Sequence, residues 1–302
     1  MSLFNTVIVK TLPLVPKPVV GVFSRKYIAG PRIEDAMRVV RELNGQGVMG
    51  TVDVLGEEIT NLDQAKGFAD QYLALLGEID RLHLDANISV KPTALGLKLD
   101  MAVCIDLVTR IVARAEELKS FVRLDMEDSS CTTDTITLYE EVRRRHSCVG
   151  MVIQAYLRRS FDDVSRLAAT QTNFRLCKGI YVEPRRIAFK DPAIINMSFN
   201  RLLEEMFAKQ CYVGVATHDE KLVWEAMRLA DRHGIGRGRF EFQMLLGVDE
   251  ELRRIIVDSG YRLRVYVPFG EQWYRYSVRR LKENPALAGQ VFRNLVKSMV
   301  PG

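Results

Sequence analysis

Eight short runs of β-branched and apolar residues recur along the chain, each followed by a longer stretch with helical spacing. That alternation restricts the fold more than any other feature. The runs read as strands are MGTVDV (49–54), NISVK (87–91), FVRLD (121–125), VGMVI (149–153), FRLCK (174–178), YVGVA (212–216), FEFQM (240–244) and LRVYV (263–267). A helical pattern, RIEDAMRVVREL, precedes the first run, and the amphipathic stretches from LDQAKGFADQYLALLGEIDRL to DEELRRIIVDSG lie between the others. A final helix is predicted over YRYSVRRLKENP, ending where Asn284-Pro285 cannot continue the hydrogen-bond ladder. Eight βα units in about 250 residues are the count of a (β/α)8 barrel. A doubly wound open sheet is the competing α/β arrangement. Its usual phosphate loop is absent after any strand: GIGRGR (234–239) lies before one.

Composition narrows the function classes. The chain of 302 residues carries 43 basic and 38 acidic side chains, a net charge of +5. These charges are dispersed, with no dense Lys/Arg block interleaved with aromatics, so nucleic-acid binding has no footprint here. A mildly basic surface suits anionic substrates or lipid headgroups. The five cysteines, at 104, 131, 148, 177 and 211, form no CxxC, which argues against a disulfide framework or a zinc site and fits a reducing cytoplasm. The four histidines have no metal-ligand spacing. No apolar run reaches the roughly 18 residues that span a bilayer. The opening MSLFNTVIVKTLPLVPKPVVGVF is apolar but interrupted by Lys10, Pro13, Pro16, Lys17 and Pro18, and it lacks the marks of a signal peptide. It is expected to be an arm that packs against something, with a membrane surface as one candidate.

In a barrel of this kind the active site forms where strands end, at the carboxyl face. The predicted strands end on polar groups in phase with one another. Lys91, Asp125, Gln154, Arg175 with Lys178-Gly179, Thr217-His218-Asp219, Gln243 followed by Leu245, and Tyr266 all fall there. Singly, each has an ordinary structural explanation; jointly, at one face, they point to a site. The same holds for Arg279 and Arg280. Tyr276 precedes them by three and four residues and Glu283 follows by four and three, so all four can meet on one helix face. The inventory is cationic: Lys91, Arg175, Lys178, Arg279 and Arg280. It offers neither a nucleophile beside a histidine base nor a carboxylate cluster for a metal. Cationic donors suit an anionic substrate, a phosphorylated cofactor, or both. One rival on the same barrel is a Schiff-base aldolase using Lys91 or Lys178 as the amine. Another is a non-enzymatic binding barrel.

SVKPTALG (89–96), VRLDMED (122–128), GMVIQAY (150–156), FRLCKGIYVEP (174–184), VATHD (215–219), FEFQMLLG (240–247) and YSVRRLKENP (276–285) occur in this order. Together they resemble the proline dehydrogenases, most closely the short, monofunctional bacterial form. The resemblance covers about residues 45–290. It divides the chain into an arm and first helix (1–45), a flavin-binding catalytic barrel (46–290) and a tail (291–302). It implies a distorted (β/α)8 barrel whose last helix lies over the carboxyl face, with FAD bound non-covalently. The implied reaction oxidises L-proline to Δ1-pyrroline-5-carboxylate, with hydride passing to flavin N5 and electrons to a membrane quinone. A downstream pyrroline-5-carboxylate dehydrogenase would consume the product. The implied location is the cytoplasm, with peripheral contact on the inner face of the cell membrane.

Position by position, the resemblance gives Lys91, Arg279 and Arg280 the substrate carboxylate. Tyr266, Tyr276 and Leu245 would wall the ring, and Glu283 would support the arginine pair. Asp125 would orient Lys91 and Tyr266, and Arg175 would lie near flavin N5. Met126, Gln154, Lys178, Gly179, Ile180, Thr217 and His218 would hold the cofactor. The chain departs from the family pattern at Pro92 and Ala94, where leucine and glutamine are expected, at Ile180 for alanine, and at Val182 for the tryptophan of bifunctional forms.

Overall fold

A computed structural model describes residues 26–56, 59–274, 276 and 277. Eight parallel strands close into a barrel in sequence order, the last pairing with the first. They are β1 (Met49–Val54), β2 (Ala86–Val90), β3 (Val122–Leu124), β4 (Val149–Gln154), β5 (Phe174–Cys177), β6 (Val213–Ala216), β7 (Phe240–Leu245) and β8 (Leu263–Phe269). Each expected strand is present within two residues of its predicted bounds. Helix α1 (Ile33–Asn44) precedes β1. Helices α2 (Leu62–Arg81), α3 (Met101–Glu117), α4 (Thr132–Arg143), α5 (Ser160–Ala168), α6 (Pro192–Ala208), α7 (Glu220–Arg232) and α8 (Glu250–Asp258) follow β1 to β7 in turn. The (β/α)8 barrel therefore stands, and the open sheet does not.

Alternation along each strand separates two environments. One face is apolar and buried against the helices, as with Val52, Val54, Ile88, Val90, Phe240 and Phe242. These pack against helix residues at 3.6-residue spacing, such as Ala65, Phe68, Tyr72, Leu75 and Ile79 of α2. Burying each large side chain there contributes about 1.5–3 kcal/mol. The other face points into the barrel and is polar: Thr51, Asp53, Ser89, Arg123, Arg175, Glu241, Gln243 and Arg264 are all buried. Barrels of this class are ordinarily filled by branched aliphatic residues. Here the lumen must instead be filled by hydrogen bonds.

Two glycines make room for this polar filling. A Cβ at Gly150 would lie 2.4 Å from the Asn173 carbonyl oxygen and 2.5 Å from Arg123 Nη1. A Cβ at Gly214 would lie 2.4 Å from Gln243 Nε2. Below the carboxyl face, Glu241 pairs with Arg264 at 2.7 Å and accepts from the Tyr212 hydroxyl at 2.8 Å. Arg264 also donates to the Gly50 carbonyl at 2.6 Å.

Helices begin promptly after the carboxyl-end loops because the loops supply caps. Asn61, Asp100, Asp191, Asp219 and Asp249 each accept a backbone N–H of the first turn. Two short 3-10 turns, Pro92–Leu95 and Ser129–Cys131, were not expected; both sit in these loops. Trp273 and Tyr274 open a helical segment after β8 that includes Tyr276 and Ser277. The Ser277 hydroxyl donates back to the Trp273 carbonyl at 2.8 Å. Tyr276 packs with Ile28 and Leu55, at the carboxyl end of β1. Among the described residues no helix is long and apolar enough to cross a membrane.

Candidate active site at the carboxyl end of the barrel

A cavity of about 630 Å3 opens at the carboxyl end of the strands. Lys91, Asp125, Arg175, Leu245, Tyr266 and Tyr276 line it. The lining also includes Met126, Gln154, Lys178, Gly179, Ile180, Thr217 and His218. Every site residue expected from the sequence and lying within the described residues thus reaches one cavity. Arg279, Arg280 and Glu283 lie outside the described residues.

The floor of the cavity is a set of buried charges. Arg175, from β5, spans the lumen. Its Nη1 donates to Asp125 at 2.7 Å and to Ser89 Oγ at 2.9 Å, and its Nε donates to Gln243. Ser89 Oγ in turn donates to Asp125 at 2.6 Å. The Tyr266 hydroxyl donates to the other Asp125 oxygen at 3.2 Å, with the Arg175 guanidinium 5.5 Å from its ring centre. Lys91 donates to Asp53, a β1 residue with no solvent exposure.

That last contact corrects the sequence reading. Lys91 was assigned to Asp125, but the carboxylate that holds it is Asp53. Asp53 lies one residue before the end of β1, so it is not among the polar strand ends. Asp53 lies in the inward phase of MGTVDV with Thr51, and the alternation itself was the available signal. Ser89 carries the same signal in NISVK. Gln243 was noted at its strand end, but its grip on Arg175 was not.

Charge states follow from burial and neighbours. Desolvation raises the Asp53 carboxyl, and the Lys91 ammonium pulls it back. Burial, with Asp53 and Asp125 close by, pushes the Tyr266 phenol far above its ordinary value, so it stays a neutral donor. Burial pushes the Cys177 thiol at the cavity wall up to about 12, which keeps it protonated and unreactive.

Across the cavity, the wall around Gln154 holds a buried polar atom without a partner among the described residues. Gln154 Nε2 donates to the Met126 carbonyl at 3.1 Å, which leaves Oε1 as a buried acceptor with no partner. A ring N–H satisfies such an atom. His218 Nε2 accepts the Leu245 backbone N–H at 2.9 Å, so its proton sits on Nδ1. This bond ties the loop after β6 to the end of β7. Lys178 is paired with Asp219 at 2.8 Å. Gly179 takes φ +105°, and a Cβ there would meet the Tyr156 ring at 2.2 Å. The glycine is needed here because Tyr156 packs beneath it.

The departures from the family pattern resolve unevenly. Pro92 opens the 3-10 turn and is buried with Ala94. Neither lines the cavity. Ile180 does line it, and Val182 is almost fully exposed. Both candidate Schiff-base amines, Lys91 and Lys178, are engaged by carboxylates, whereas that chemistry needs a free neutral amine.

A family model described as proline dehydrogenase matches residues 36–293. The chain belongs to the proline dehydrogenase family. It is 34% identical over 272 residues to Proline dehydrogenase 2 of Bacillus subtilis (strain 168), covering 90% of each chain. It is 35% identical over 281 residues to the proline dehydrogenase of Deinococcus radiodurans, covering 91% of this chain and 90% of that one. Among solved structures, proline utilization A from Bdellovibrio bacteriovorus, inactivated by N-propargylglycine, superposes with a TM-score of 0.81 at 27% identity. That match covers 90% of this chain but 34% of the longer protein. Proline dehydrogenase membership makes the chain an oxidoreductase, and the aldolase and binding-barrel readings are set aside.

Proposed function

We propose that this cavity binds FAD and L-proline together and that the enzyme oxidises proline to Δ1-pyrroline-5-carboxylate. The observation that carries the reading is the convergence of every described site residue on one cavity, floored by Asp53, Lys91, Asp125 and Arg175. Within that floor two cations offset two carboxylates. Bound FAD supplies the hydride acceptor, flavin N5; the chain supplies position and charge.

Lys91 meets the substrate carboxylate, joined by Arg279 and Arg280 with Glu283 in support, a reading that the family resemblance supports. Guanidinium forks pair with carboxylates bidentately, each charge-assisted bond contributing on the order of 1.5–3 kcal/mol. Tyr266, Tyr276 and Leu245 wall the five-membered ring. Tyr276 is buried, so a 4-hydroxyl would meet its ring, and proline is favoured over hydroxyproline. Asp125 and Gln243 fix Arg175, which faces the flavin near N5. Gln154 offers its unpartnered acceptor to a flavin ring N–H, with Met126, Lys178, Gly179, Ile180, Thr217 and His218 around the rest of the cofactor. The substrate amine must arrive neutral before hydride leaves, and nearby cations favour that form.

Electrons leave for a membrane quinone, and the product passes to a pyrroline-5-carboxylate dehydrogenase. A bifunctional PutA of Rhizobium meliloti, 25% identical over 305 residues, is consistent with such a link; this chain covers 25% of it. The protein works in the reducing cytoplasm, in peripheral contact with the inner face of the cell membrane. Its free thiols and basic balance fit that setting.

The test is a visible spectrum. The purified protein is expected to be yellow and to bleach with L-proline under anaerobic conditions. A colourless protein that takes up no added FAD, or a yellow one that proline leaves unchanged, would overturn the reading.

A further inference from the structure

Asp53 and Tyr72 are buried polar residues that line no part of the cavity, yet both lead to Lys91, which does. Tyr72 belongs to α2, outside the barrel wall, and its spacing within that helix reads as plain core packing. Its hydroxyl nonetheless donates to Asp53 Oδ1 at 3.3 Å, while Lys91 takes the other oxygen, Oδ2. Asp53 has no solvent exposure, and the Lys91 side chain has 6%. A long lysine side chain carries several free rotors, and holding its head at one point costs conformational entropy. A buried carboxylate that is itself fixed at both oxygens removes that cost before substrate arrives.

We propose that Tyr72 and Asp53 act as positioning residues for the known substrate: the α2 phenol fixes the β1 carboxylate, and the carboxylate holds the Lys91 ammonium where the proline carboxylate docks. The role concerns binding of the carboxylate and not the hydride step. It rests on the assignment of Lys91 to that carboxylate made above. Tyr72 is the more informative residue to change, because Tyr72→Phe keeps the ring and its packing and removes only the hydroxyl, with its bonds to Asp53 and to the Lys91 backbone.

The test uses the flavin-loaded enzyme, steady-state kinetics, and calorimetric binding of two fragments of the substrate. Cyclopentanecarboxylate keeps the carboxylate and lacks the amine; pyrrolidine keeps the amine and lacks the carboxylate. Tyr72→Phe is expected to raise KM for proline by about three- to tenfold, with kcat changed by less than about twofold. Cyclopentanecarboxylate affinity falls in step, and pyrrolidine affinity does not move. Asp53→Asn is expected to lose at least about thirtyfold in kcat/KM, with part regained in Asp53→Glu. A Tyr72→Phe enzyme with unchanged KM, or with both fragments weakened equally, overturns the proposal. If the native protein binds cyclopentanecarboxylate but never oxidises proline, the functional reading fails while the fragment comparison still decides the positioning role.

Discussion

At the scale of single residues, the site is governed by which buried polar atoms have partners. Arg175 is the clearest case. Its hydrogen bonds to Asp125, Ser89 and Gln243 use most of its fork and join β5 to β2, β3 and β7. Arg175→Met would leave the half-buried Asp125 carboxylate without its cation, held by Ser89 and Tyr266. Removing one partner of a fully buried pair costs about 3–5 kcal/mol, and these remaining donors bring the expected loss to the lower end of that range or below it. The expected result is a clear drop in the urea midpoint together with loss of proline turnover. Gln154 makes the opposite case, because its amide oxygen has no partner among the described residues. Gln154→Leu removes that unsatisfied acceptor but also the Nε2 bond to the buried Met126 carbonyl, so the apoprotein is expected to lose about 1–3 kcal/mol. Flavin affinity is expected to fall about tenfold, read by fluorescence titration of the apoprotein with FAD. A loss of apoprotein stability with unchanged flavin affinity would remove Gln154 from the cofactor wall.

At the scale of elements, much of the site was legible because strands alternate. Once a run such as FRLCK is read as a strand ending at a barrel mouth, Arg175 and Lys178 follow from its phase and its end. Asp53 was equally legible in principle, but it sits one residue before the end of its strand and was hidden between two valines. Tyr72 was not legible at all. Its position in α2 satisfies the apolar stripe, and only three-dimensional placement brings its hydroxyl to a carboxylate on β1. The glycines of the lumen were silent for the same reason. Gly214 is explained by Gln243, which projects across it from the neighbouring strand. Gly214→Ala places a methyl 2.4 Å from that amide. The side chain can shift, but only by loosening its bond to Arg175. The variant is expected to lose about 1–3 kcal/mol in chemical denaturation and to lower kcat through Arg175.

At the scale of the whole molecule, apolar burial lies in the shell between strands and helices, while the lumen is held by ion pairs. Such a fold is exposed to acid. Glu241 is buried, which by itself raises its carboxyl, but the Arg264 ion pair and bonds from Tyr212 and Gln243 outweigh that and bring it down to about 2. The unfolded chain holds its glutamates near the ordinary value of about 4.3. Because the folded value is the lower one, the unfolded state binds more protons between these limits. The stabilisation is complete above about pH 4.3 and is lost as pH falls from there through about 2, by an amount on the order of 3 kcal/mol. Asp53 runs the other way, since burial raises it and the folded state binds its proton more readily. Glu241→Gln isolates the larger effect. At pH 7 it leaves Arg264 buried without its counter-ion, a cost of about 3–5 kcal/mol. The variant lacks the titrating group, so the difference in unfolding free energy between the two proteins should narrow steadily below pH 4.3, about one glutamate's proton in slope. Urea midpoints measured from pH 7 down to the acid limit read that difference directly. A gap that stays constant across the range would mean that the Glu241 pair does not set the acid limb.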